Sequence, residues 1–411
     1  MTRLLTYYGD DFTGSTDVME SMASHDVKTV LFTRLPTAEE FQPFANYEAV
    51  GLAGTSRSQT PDWMDQNLPQ AFEWLKSLDA RFCHYKVCST FDSSPGIGNI
   101  GRAVEIGQRI FMQENVVMIV GAPQLKRYTF AGHLFAAFKD QVYRIDRHPV
   151  MSRHPVTPMH ESDLVLHLAK QTTHPVAMID VYDATTQRLA GERLLALPLS
   201  SLPFIVGSSG VNYALMSALD KQRSNNFPSV PAMDRLLVVS GSVSPTTERQ
   251  IKAALAHGFT SVTADARALA APDNAIEIAR LTSLADDILQ QGQSPLIYTA
   301  AGPDTDQSKA IDAISGGRQR IAKSLGTIAH QLIETHKLRR IVFSGGDTSS
   351  HGLGQLDIAA LTTRVPLAET PGSPLCTAHS ANPVFAGLEI AMKGGQLGGD
   401  DYFVKMRDGM S

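Results

Sequence analysis

The sequence predicts an α/β protein of two domains, each a mostly parallel or mixed sheet covered by helices. Three observations lead to this prediction. At about 150 residues per domain, the 411 residues suffice for two domains with sizeable cores. Short apolar segments alternate with helical stretches along the chain, which is typical of parallel sheets. Between residues 224 and 231 this periodicity is lost, which indicates a linker.

The first half alternates predicted strands with predicted helices. Each strand is a short run rich in apolar or β-branched residues, and each helix repeats apolar residues every three or four positions. The strands are predicted at 4–8, 29–32, 49–53, 116–120, 177–180 and 204–207. The helices are predicted at 15–24, 61–76, 101–114 and from 210 to near 220.

The second half starts again with a strand after the linker. Strands are predicted at 235–240, 296–298 and 340–344, and helices at 246–257 and 317–336. We therefore predict one domain over residues 1–225 and another over 234–411, joined by a linker at 226–233.

Charge and cysteine content exclude several classes of protein. Lys and Arg number 36 against 41 Asp and Glu, a net charge of −5, so neither nucleic acid nor a membrane is predicted as a partner. Cys83, Cys88 and Cys376 lack CxxC spacing, which argues against a disulfide scaffold or a four-thiolate zinc site. No run reaches about 18 apolar residues, the length of a membrane-spanning helix. The low number of cysteines fits a reducing compartment, so a soluble cytoplasmic protein is expected.

An acidic pair follows the first predicted strand, in the segment GDDFTG at residues 9–14. Because ligands of open α/β sheets bind beyond the carboxyl ends of strands, Asp10 and Asp11 are well placed to accept a proton or bind magnesium. Alternatively, one aspartate caps the next helix and the glycine makes the turn. The doublet followed by Thr-Gly favours a functional role.

A polar segment at 84–101, HYKVCSTFDSSPGIGNIG, follows another strand. Its lysine, Lys86, and its hydroxyl groups suit the carboxylate and hydroxyls of a small polar ligand. Residues 96–101 also match GxGxxG, in which glycines let a helix N-terminus approach a pyrophosphate. A long loop separates this match from the strand, so a dinucleotide site is the weaker alternative.

Three histidines, His148, His154 and His160, lie six residues apart in a loop rich in arginine and proline. This spacing matches neither one helical face nor a familiar zinc pattern, so a metal site is the weaker interpretation. The loop is expected to pack structurally or to face an acidic ligand. Ser162 or Glu161 is predicted to open the helix that follows.

Two strands of the second half run into Gly/Ser turns, SGSVSP at 240–245 and SGGDTSS at 344–350. Ser244 suits a helix cap and Pro245 the first helical turn, so the exposed N–H groups and the helix dipole form a seat for phosphate. A glycine-dense segment at 392–403 either approaches the nucleotide or forms a C-terminal turn cluster. Without a Walker A or protein-kinase signature, the residues alone indicate an α/β enzyme that binds an anionic nucleotide.

Taken together and in order, these segments resemble the four-carbon acid sugar kinase family, formerly a domain of unknown function. The resemblance spans nearly the whole chain and rests on 9–14, 86–92, 157–163, 241–244 and 344–348. It implies an N-terminal sugar-acid-binding domain and a C-terminal nucleotide-binding domain, with the active site in the interdomain cleft. The implied reaction is ATP-dependent phosphorylation of a terminal hydroxyl of threonate, erythronate or 3-oxo-tetronate.

The resemblance also implies roles for individual residues. Asp10 and Asp11 match the paired acidic motif, and the substrate elements correspond to Arg57, Lys86, Ser89 and Thr90. The segments that hold ATP correspond to Ser242, Ser244, Gly345, Gly346, Asp347, Thr348, Gly395 and Gly398. The chain departs from the family pattern at 88–93, which bears on the substrate, and at 395–398, which bears on nucleotide contacts.

A mechanism follows as a hypothesis. Asp11 acts as the general base, with Asp10 as the alternative, while Arg57 and Lys86 hold the substrate carboxylate. Backbone N–H groups seat the phosphates, Mg2+ bridges them, and Asp347 contacts the metal or the ribose. Two other classes stay open, a nicotinamide-dependent sugar-acid oxidoreductase that uses 96–101 and a non-catalytic nucleotide or metabolite sensor. Whether the chain forms a homo-oligomer is left open.

Overall fold

The computed structural model divides the chain into two compact units, Met1–Asn225 and Asn226–Ser411. The structure describes residues 3–198, 203–224, 226–367 and 369–410. Residue 225, the predicted end of the first domain, lies outside the described residues. Each unit is an α/β structure, which confirms the predicted fold class.

The first unit contains strands and helices in alternation. Its strands are β1 (Arg3–Gly9), β2 (Thr29–Phe32), β3 (Ala49–Ala53), β4 (Ala80–Lys86), β5 (Val116–Ile119), β6 (Arg127–Phe130), β7 (His133–Phe138), β8 (Gln141–Arg144), β9 (Val176–Met178) and β10 (Phe204–Gly207). Its helices are α1 (Phe12–Ala23), α2 (Ala38–Phe41), α3 (Pro61–Ser77), α4 (Ile100–Phe111), α5 (Leu164–Leu168), α6 (Ala184–Leu195) and α7 (Gly210–Ala218).

Seven of these strands form a parallel arrangement in the order β2-β3-β1-β4-β10-β5-β9. Strands β1 and β4 are almost entirely buried, as expected for a parallel sheet covered by helices on both faces. The other three, β6, β7 and β8, form a separate antiparallel sheet. The sequence analysis predicted no strand in that region.

Local capping explains where several helices begin. Asp11 caps α1, which therefore begins at Phe12 rather than at residue 15. Thr60 caps α3, and Pro61 occupies its first turn. The prediction that Ser162 or Glu161 opens the next helix is wrong, because Asp163 caps α5 by accepting from the backbone N–H groups of the first turn.

The second unit has the same alternation. Its strands are β11 (Leu237–Ser240), β12 (Phe259–Thr263), β13 (Ser294–Tyr298), β14 (Arg340–Ser344), β15 (Ala360–Val365), β16 (Leu375–His379) and β17 (Glu389–Lys393). Its helices are α8 (Pro245–Ala256), α9 (Ala266–Ala270), α10 (Ala275–Gln290), α11 (Ser308–Asp312), α12 (Gly317–His336), α13 (Gly346–Leu353) and α14 (Tyr402–Asp408).

The strands of the second unit lie in the order β12-β13-β11-β14-β17-β16-β15. The first five are parallel, whereas β16 pairs antiparallel with both of its neighbours. Apolar side chains from β11, β14, α8 and α14 form the core between strands and helices. The segment at 226–233 packs on this unit, since Val230 exchanges backbone hydrogen bonds with Met410 and is buried in that core.

Both units place their first strand in the middle of a sheet. In the first unit the chain moves outward from β1 to β2, returns to β3 and then crosses to β4 on the other side of β1. In the second unit β11, β12, β13 and β14 repeat this path. The order of the strands reverses between β1 and β4 and between β11 and β14. Ligands of open α/β sheets bind at such reversals, beyond the carboxyl ends of the strands.

No helix in the described part of the chain is long and apolar enough to span a membrane.

Candidate active site

The loops after β1 and β4 meet at the strand-order reversal of the first unit. The backbone N–H of Asp10 donates to the carbonyl of Lys86 (2.9 Å), and the N–H of Arg57 donates to the carbonyl of Asp10 (3.0 Å). These bonds bring three distant chain segments to one edge of the sheet. The structure therefore gathers the predicted acidic pair, Arg57 and Lys86.

Asp11 serves two partners at the start of α1. Its Oδ1 accepts from the N–H of Gly14 at 2.5 Å, and its Oδ2 accepts from Nη1 of Arg57 at 2.9 Å. The side chain keeps 30% of its surface exposed. Asp11 is thus the helix cap of the structural interpretation, and its partly exposed carboxylate also leaves the functional interpretation open.

Asp10 lies beneath the surface, with 4% of its area exposed. Its Oδ1 is buried and has no hydrogen-bond partner among the described residues. Burial and, to a smaller extent, the neighbouring Asp11 charge raise the pKa of Asp10 to about 7. This carboxyl group therefore changes protonation near neutral pH.

Arg57 joins Asp11 to a second carboxylate, Asp92. Nη2 of Arg57 lies 2.9 Å from both oxygens of Asp92. Asp92 also accepts from the hydroxyls of Thr90 (2.5 Å) and Thr157 (3.2 Å). Burial by itself raises the pKa of Asp92, but Arg57 and the Thr90 hydroxyl outweigh it, so the pKa lies below its usual value. Asp92 is therefore held as an anion that fixes the guanidinium.

Lys86 is buried at the end of β4, below this group. Its Nζ donates to the carbonyl of Val87 at 3.0 Å and lies 3.9 Å from Oδ2 of Asp17. Burial raises the pKa of Asp17, which also accepts a hydrogen bond from the Ser209 hydroxyl. Of the two predicted hydroxyl residues, Thr90 is buried and donates to Asp92, whereas Ser89 is half-exposed.

In the second unit, the turns after β11, β14 and β17 lie side by side. Ser244 caps α8 by accepting from the N–H of Thr246 (3.2 Å), which confirms the predicted cap, and Pro245 occupies the first turn. Gly345 adopts a φ of +115°, a conformation that favours glycine. Its N–H donates to the carbonyl of Lys393 at 2.9 Å. A Cβ on Gly395 would lie 2.6 Å from Oγ of Ser242, so the turns after β11 and β17 are in close contact.

A pocket that is open to solvent lies at the carboxyl ends of β11, β13 and β14. The Gly/Ser turns contribute Gly241, Val243, Asp347 and Thr348. Apolar side chains form another part of the wall: Ala266, Ala300, Ile311, Ile321 and Ala322. A wall of this kind suits a planar base, and the turns supply polar groups for phosphates.

Comparison with known proteins places the chain in a family. A family model described as a sugar-binding N-terminal domain matches residues 5–244, and one described as a nucleotide-binding C-terminal domain matches residues 237–403. The chain belongs to the four-carbon acid sugar kinase family. This confirms the resemblance stated from the sequence and identifies the chain as an acid sugar kinase of that family.

Named relatives of this kinase cover nearly its whole length. A 3-oxo-isoapionate kinase of Paraburkholderia graminis is 41% identical over 99% of this chain and 94% of that protein. A 3-oxo-tetronate kinase of Cupriavidus necator is 30% identical over 97% of this chain and 95% of that protein. One from Pseudomonas fluorescens is 29% identical, with coverages of 98% and 96%.

Two solved structures share the fold of this kinase. A Haemophilus influenzae protein of family DUF1537 has a TM-score of 0.71 and 22% identity, over 97% of this chain and 98% of that chain. A Salmonella typhimurium protein described as a putative tRNA synthase has a TM-score of 0.77 and 23% identity, over 98% of each chain. At these identities the likeness concerns the fold alone.

The GxGxxG match of the kinase forms no seat for a pyrophosphate. Asn99 caps α4 through the N–H of Arg102, and the N–H of Gly101 donates to Oε1 of Gln171 at 3.3 Å. Gly98 has a φ of +62°, and a Cβ there would lie 2.6 Å from the carbonyl oxygen of Arg57. These glycines serve a turn that packs on the Arg57 loop, so the oxidoreductase alternative loses the contact on which it depended.

The histidine loop of the kinase supports Asp92. Nδ1 of His154 accepts from the N–H of Thr157 at 3.1 Å, and Thr157 in turn donates to Asp92. Nδ1 of His148 accepts from two backbone N–H groups, whereas His160 is exposed. Among the residues that the structure describes, no three His, Cys, Asp or Glu side chains are grouped as metal ligands.

Sequence reasoning missed several residues of these sites in the kinase. Nε2 of Gln250 on α8 donates to three successive carbonyls of the loop after β17, at 2.9 to 3.2 Å. Thr299 and Arg318 line the pocket. The end of β13 was the available signal for Thr299, because that strand neighbours β11, whereas nothing in the local sequence distinguishes Gln250 or Arg318.

Proposed function

We propose that this chain transfers the γ-phosphate of ATP to a hydroxyl group of a 3-oxo sugar acid. The observation that carries this proposal is the pair of polar clusters at the strand-order reversals, one of charged side chains and one of glycine and hydroxyl residues in turns beside an open pocket. The named relatives support a substrate close to 3-oxo-isoapionate or 3-oxo-tetronate. The location of the reaction in a cleft between the domains stays a prediction from the sequence.

In the first unit, the acidic and basic groups fit a small hydroxy acid. Among the described residues, Arg57 contacts Asp11 and Asp92 through its terminal nitrogens, so its Nε–H would donate to a substrate carboxylate, with Lys86 below it. Asp11 accepts the hydroxyl proton as the substrate oxygen bonds to the γ-phosphorus. The bond from that phosphorus to the β-phosphate oxygen breaks, and ADP leaves with its electron pair.

In the second unit, we propose that the turns hold the nucleotide. Phosphates would take hydrogen bonds from the main chain and hydroxyls of these turns, while the apolar wall of the pocket takes the adenine. The proposed contacts are Ser242, Ser244, Gly345, Gly346, Thr348, Gly395 and Gly398. Asp347 is an exposed carboxylate on the pocket wall, which is the hard oxygen donor that Mg2+ prefers. Asp347 would hold Mg2+ or the ribose, and the metal would neutralise phosphate charge.

A coupled assay of ADP release tests this function. The purified chain receives MgATP with 3-oxo-isoapionate, each 3-oxo-tetronate isomer, threonate or erythronate, and a reaction without acid measures ATP hydrolysis. We expect ADP release above that baseline with at least one 3-oxo acid, together with a phosphorylated product by mass spectrometry. Release at the baseline with every acid would contradict the proposal. A change in nicotinamide absorbance with the same acids would support the oxidoreductase instead.

A further inference from the structure

Lys393 is a buried lysine at the carboxyl end of β17, with 1% of its surface exposed. Its Nζ donates to Oγ1 of Thr247 at 3.3 Å and to Oγ of Ser344 at 3.2 Å. Both partners are neutral hydroxyls. No carboxylate lies within ion-pair distance of Nζ in the described part of the chain.

The other buried cations of the described residues have a carboxylate nearby. Arg340 pairs with Glu389 at 2.5 Å, and Lys86 lies 3.9 Å from Asp17. Burying a charge without an opposite charge is strongly unfavourable, so in the absence of a ligand burial favours the neutral amine of Lys393. An anionic ligand bound nearby would favour the charged form instead.

Lys393 is linked, directly or through Thr247, to the turns after β11, β14 and β17, of which the first two line the pocket. Thr247, which accepts from Nζ, donates to Oγ of Ser242 (2.9 Å) in the turn after β11 and lies 3.1 Å from the carbonyl of Gly395. Ser344 ends β14, where the glycine turn begins. A protonated Nζ is only a donor, so the Thr247 hydroxyl accepts from it and directs its own proton toward Ser242 or the Gly395 carbonyl. The charge on Nζ therefore acts on the turn after β14 through the Ser344 hydroxyl. It acts on the turns after β11 and β17 through the Thr247 hydroxyl.

The groups that face Nζ do not supply a charge. Thr247 comes from α8 and Ser344 from β14, and the rings of Tyr402 and Phe403 from α14 lie 6.0 and 5.9 Å from Nζ. Tyr402 is the titratable group among them. Burial lowers the pKa of Lys393 to about 7, so its protonation responds to an anion placed nearby.

We propose that Lys393 is a positioning residue for the nucleotide phosphates, which become its counter-charge and drive the uptake of a proton onto Nζ when they bind. This inference rests on the proposed function, because it takes the anion to be the polyphosphate of ATP or ADP. Lys393 acts through Thr247 and Ser344 rather than on the reacting atoms. The same arrangement makes nucleotide binding weaker as the pH rises above 7.

Calorimetric titration of MgADP at pH 8, in two buffers that differ in ionisation enthalpy, tests the proposal. We expect the wild-type chain to take up close to one proton per nucleotide, about the change for a single lysine. Lys393→Met should lose this uptake and bind MgADP about tenfold or more weakly. Its affinity for adenosine, which has no phosphate, should not change. The matched control is Lys405→Met, an exposed lysine on α14 that pairs with Glu369, which should behave as the wild type does.

The outcomes separate this inference from the proposed function. A purely structural role for Lys393 would change the unfolding temperature and leave proton uptake as in the wild type, which would overturn the inference. If Lys393→Met does not fold, absence of proton uptake by the wild type at pH 8 overturns it equally. If the wild type shows lysine-dependent uptake but releases no ADP with any sugar acid, the proposed function fails and this inference stands.

Discussion

Asp10 and Asp11 are adjacent in sequence but occupy different environments. Asp11 is partly exposed, caps α1 and contacts Arg57, whereas Asp10 is buried with one oxygen unpaired among the described residues. Exposure and orientation favour Asp11 as the group that meets the substrate hydroxyl. The pKa of Asp10, about 7, makes its charge sensitive to pH near neutrality.

Asp11→Asn should reduce kcat by about a hundredfold or more, because it removes the proton acceptor while an asparagine still caps the helix. ATP affinity should not change. Steady-state ADP release and nucleotide titration measure the two quantities. The matched control is Asp183→Asn, since Asp183 caps α6 in the same unit away from the site. Undiminished turnover in Asp11→Asn, with a large loss in Asp10→Asn, would instead make Asp10 the base.

Asp10→Asn should become more stable relative to the wild type as the pH rises from 5 to 8. The pKa of Asp10 in the folded state is raised to about 7, so folding favours its protonated form. That contribution is complete below about pH 4 and is lost as the pH rises through 7, because the folded state then holds a buried ion. Urea unfolding at both pH values measures it. A difference in unfolding free energy that is equal at pH 5 and pH 8 would contradict the assignment.

At the scale of elements, the proposed nucleotide site depends on close contact between turns that end neighbouring strands. The turn after β17 approaches Ser242 and Ser244 so closely that a Cβ on Gly395 would lie 2.6 and 3.1 Å from their side chains. Gln250 holds the same turn from α8. A displacement of one turn therefore moves the polar groups of another.

Gly395→Ala should weaken MgADP binding by about tenfold or more, since a shift near 1 Å in a positioned group has effects of that order. Gly394→Ala is the matched control, because a Cβ there would meet its nearest atom, on Leu397, at an ordinary 3.7 Å. Calorimetric titration of both variants compares the affinities. Equal affinities for the two variants would show that the contact between turns does not position the nucleotide.

At the scale of the whole molecule, each unit carries its own polar cluster at its own strand-order reversal. A ligand that binds the folded state stabilises it by mass action, by about 2.7 kcal/mol at a hundredfold excess over Kd. Because MgADP and the 3-oxo acid are proposed to bind different units, each should slow hydrogen exchange in a different part of the chain.

Hydrogen exchange with each ligand alone tests this division. MgADP should slow exchange at 241–248 and 345–350, and a 3-oxo acid substrate should slow it at 9–17 and 86–92, because those segments contain the proposed contacts. Exchange without ligand is the reference for each segment. Protection of 9–17 by MgADP alone, with no effect at 345–350, would contradict the assignment of nucleotide to the second unit.

Local sequence patterns were sufficient for most of the elements that position the sites. The strand at 340–344 and the helix at 317–336 coincide with β14 and α12, because apolar periodicity and flanking glycines mark them. The sheet of β6, β7 and β8 was not predicted. Its strands are half-exposed and short, so their hydrophobic pattern is weak.

By itself, the sequence determined the α/β class, the acidic pair after the first strand, the Gly/Ser turns and the family, because each is written in a short contiguous segment. Only the tertiary structure decided which partners those residues acquire. The contacts of Arg57 with Asp11 and Asp92 and the burial of Lys393 join residues that are far apart in the chain. The pKa of a carboxyl or amino group depends on the charges and solvent around it, and these are set by the folded neighbours rather than by adjacent residues.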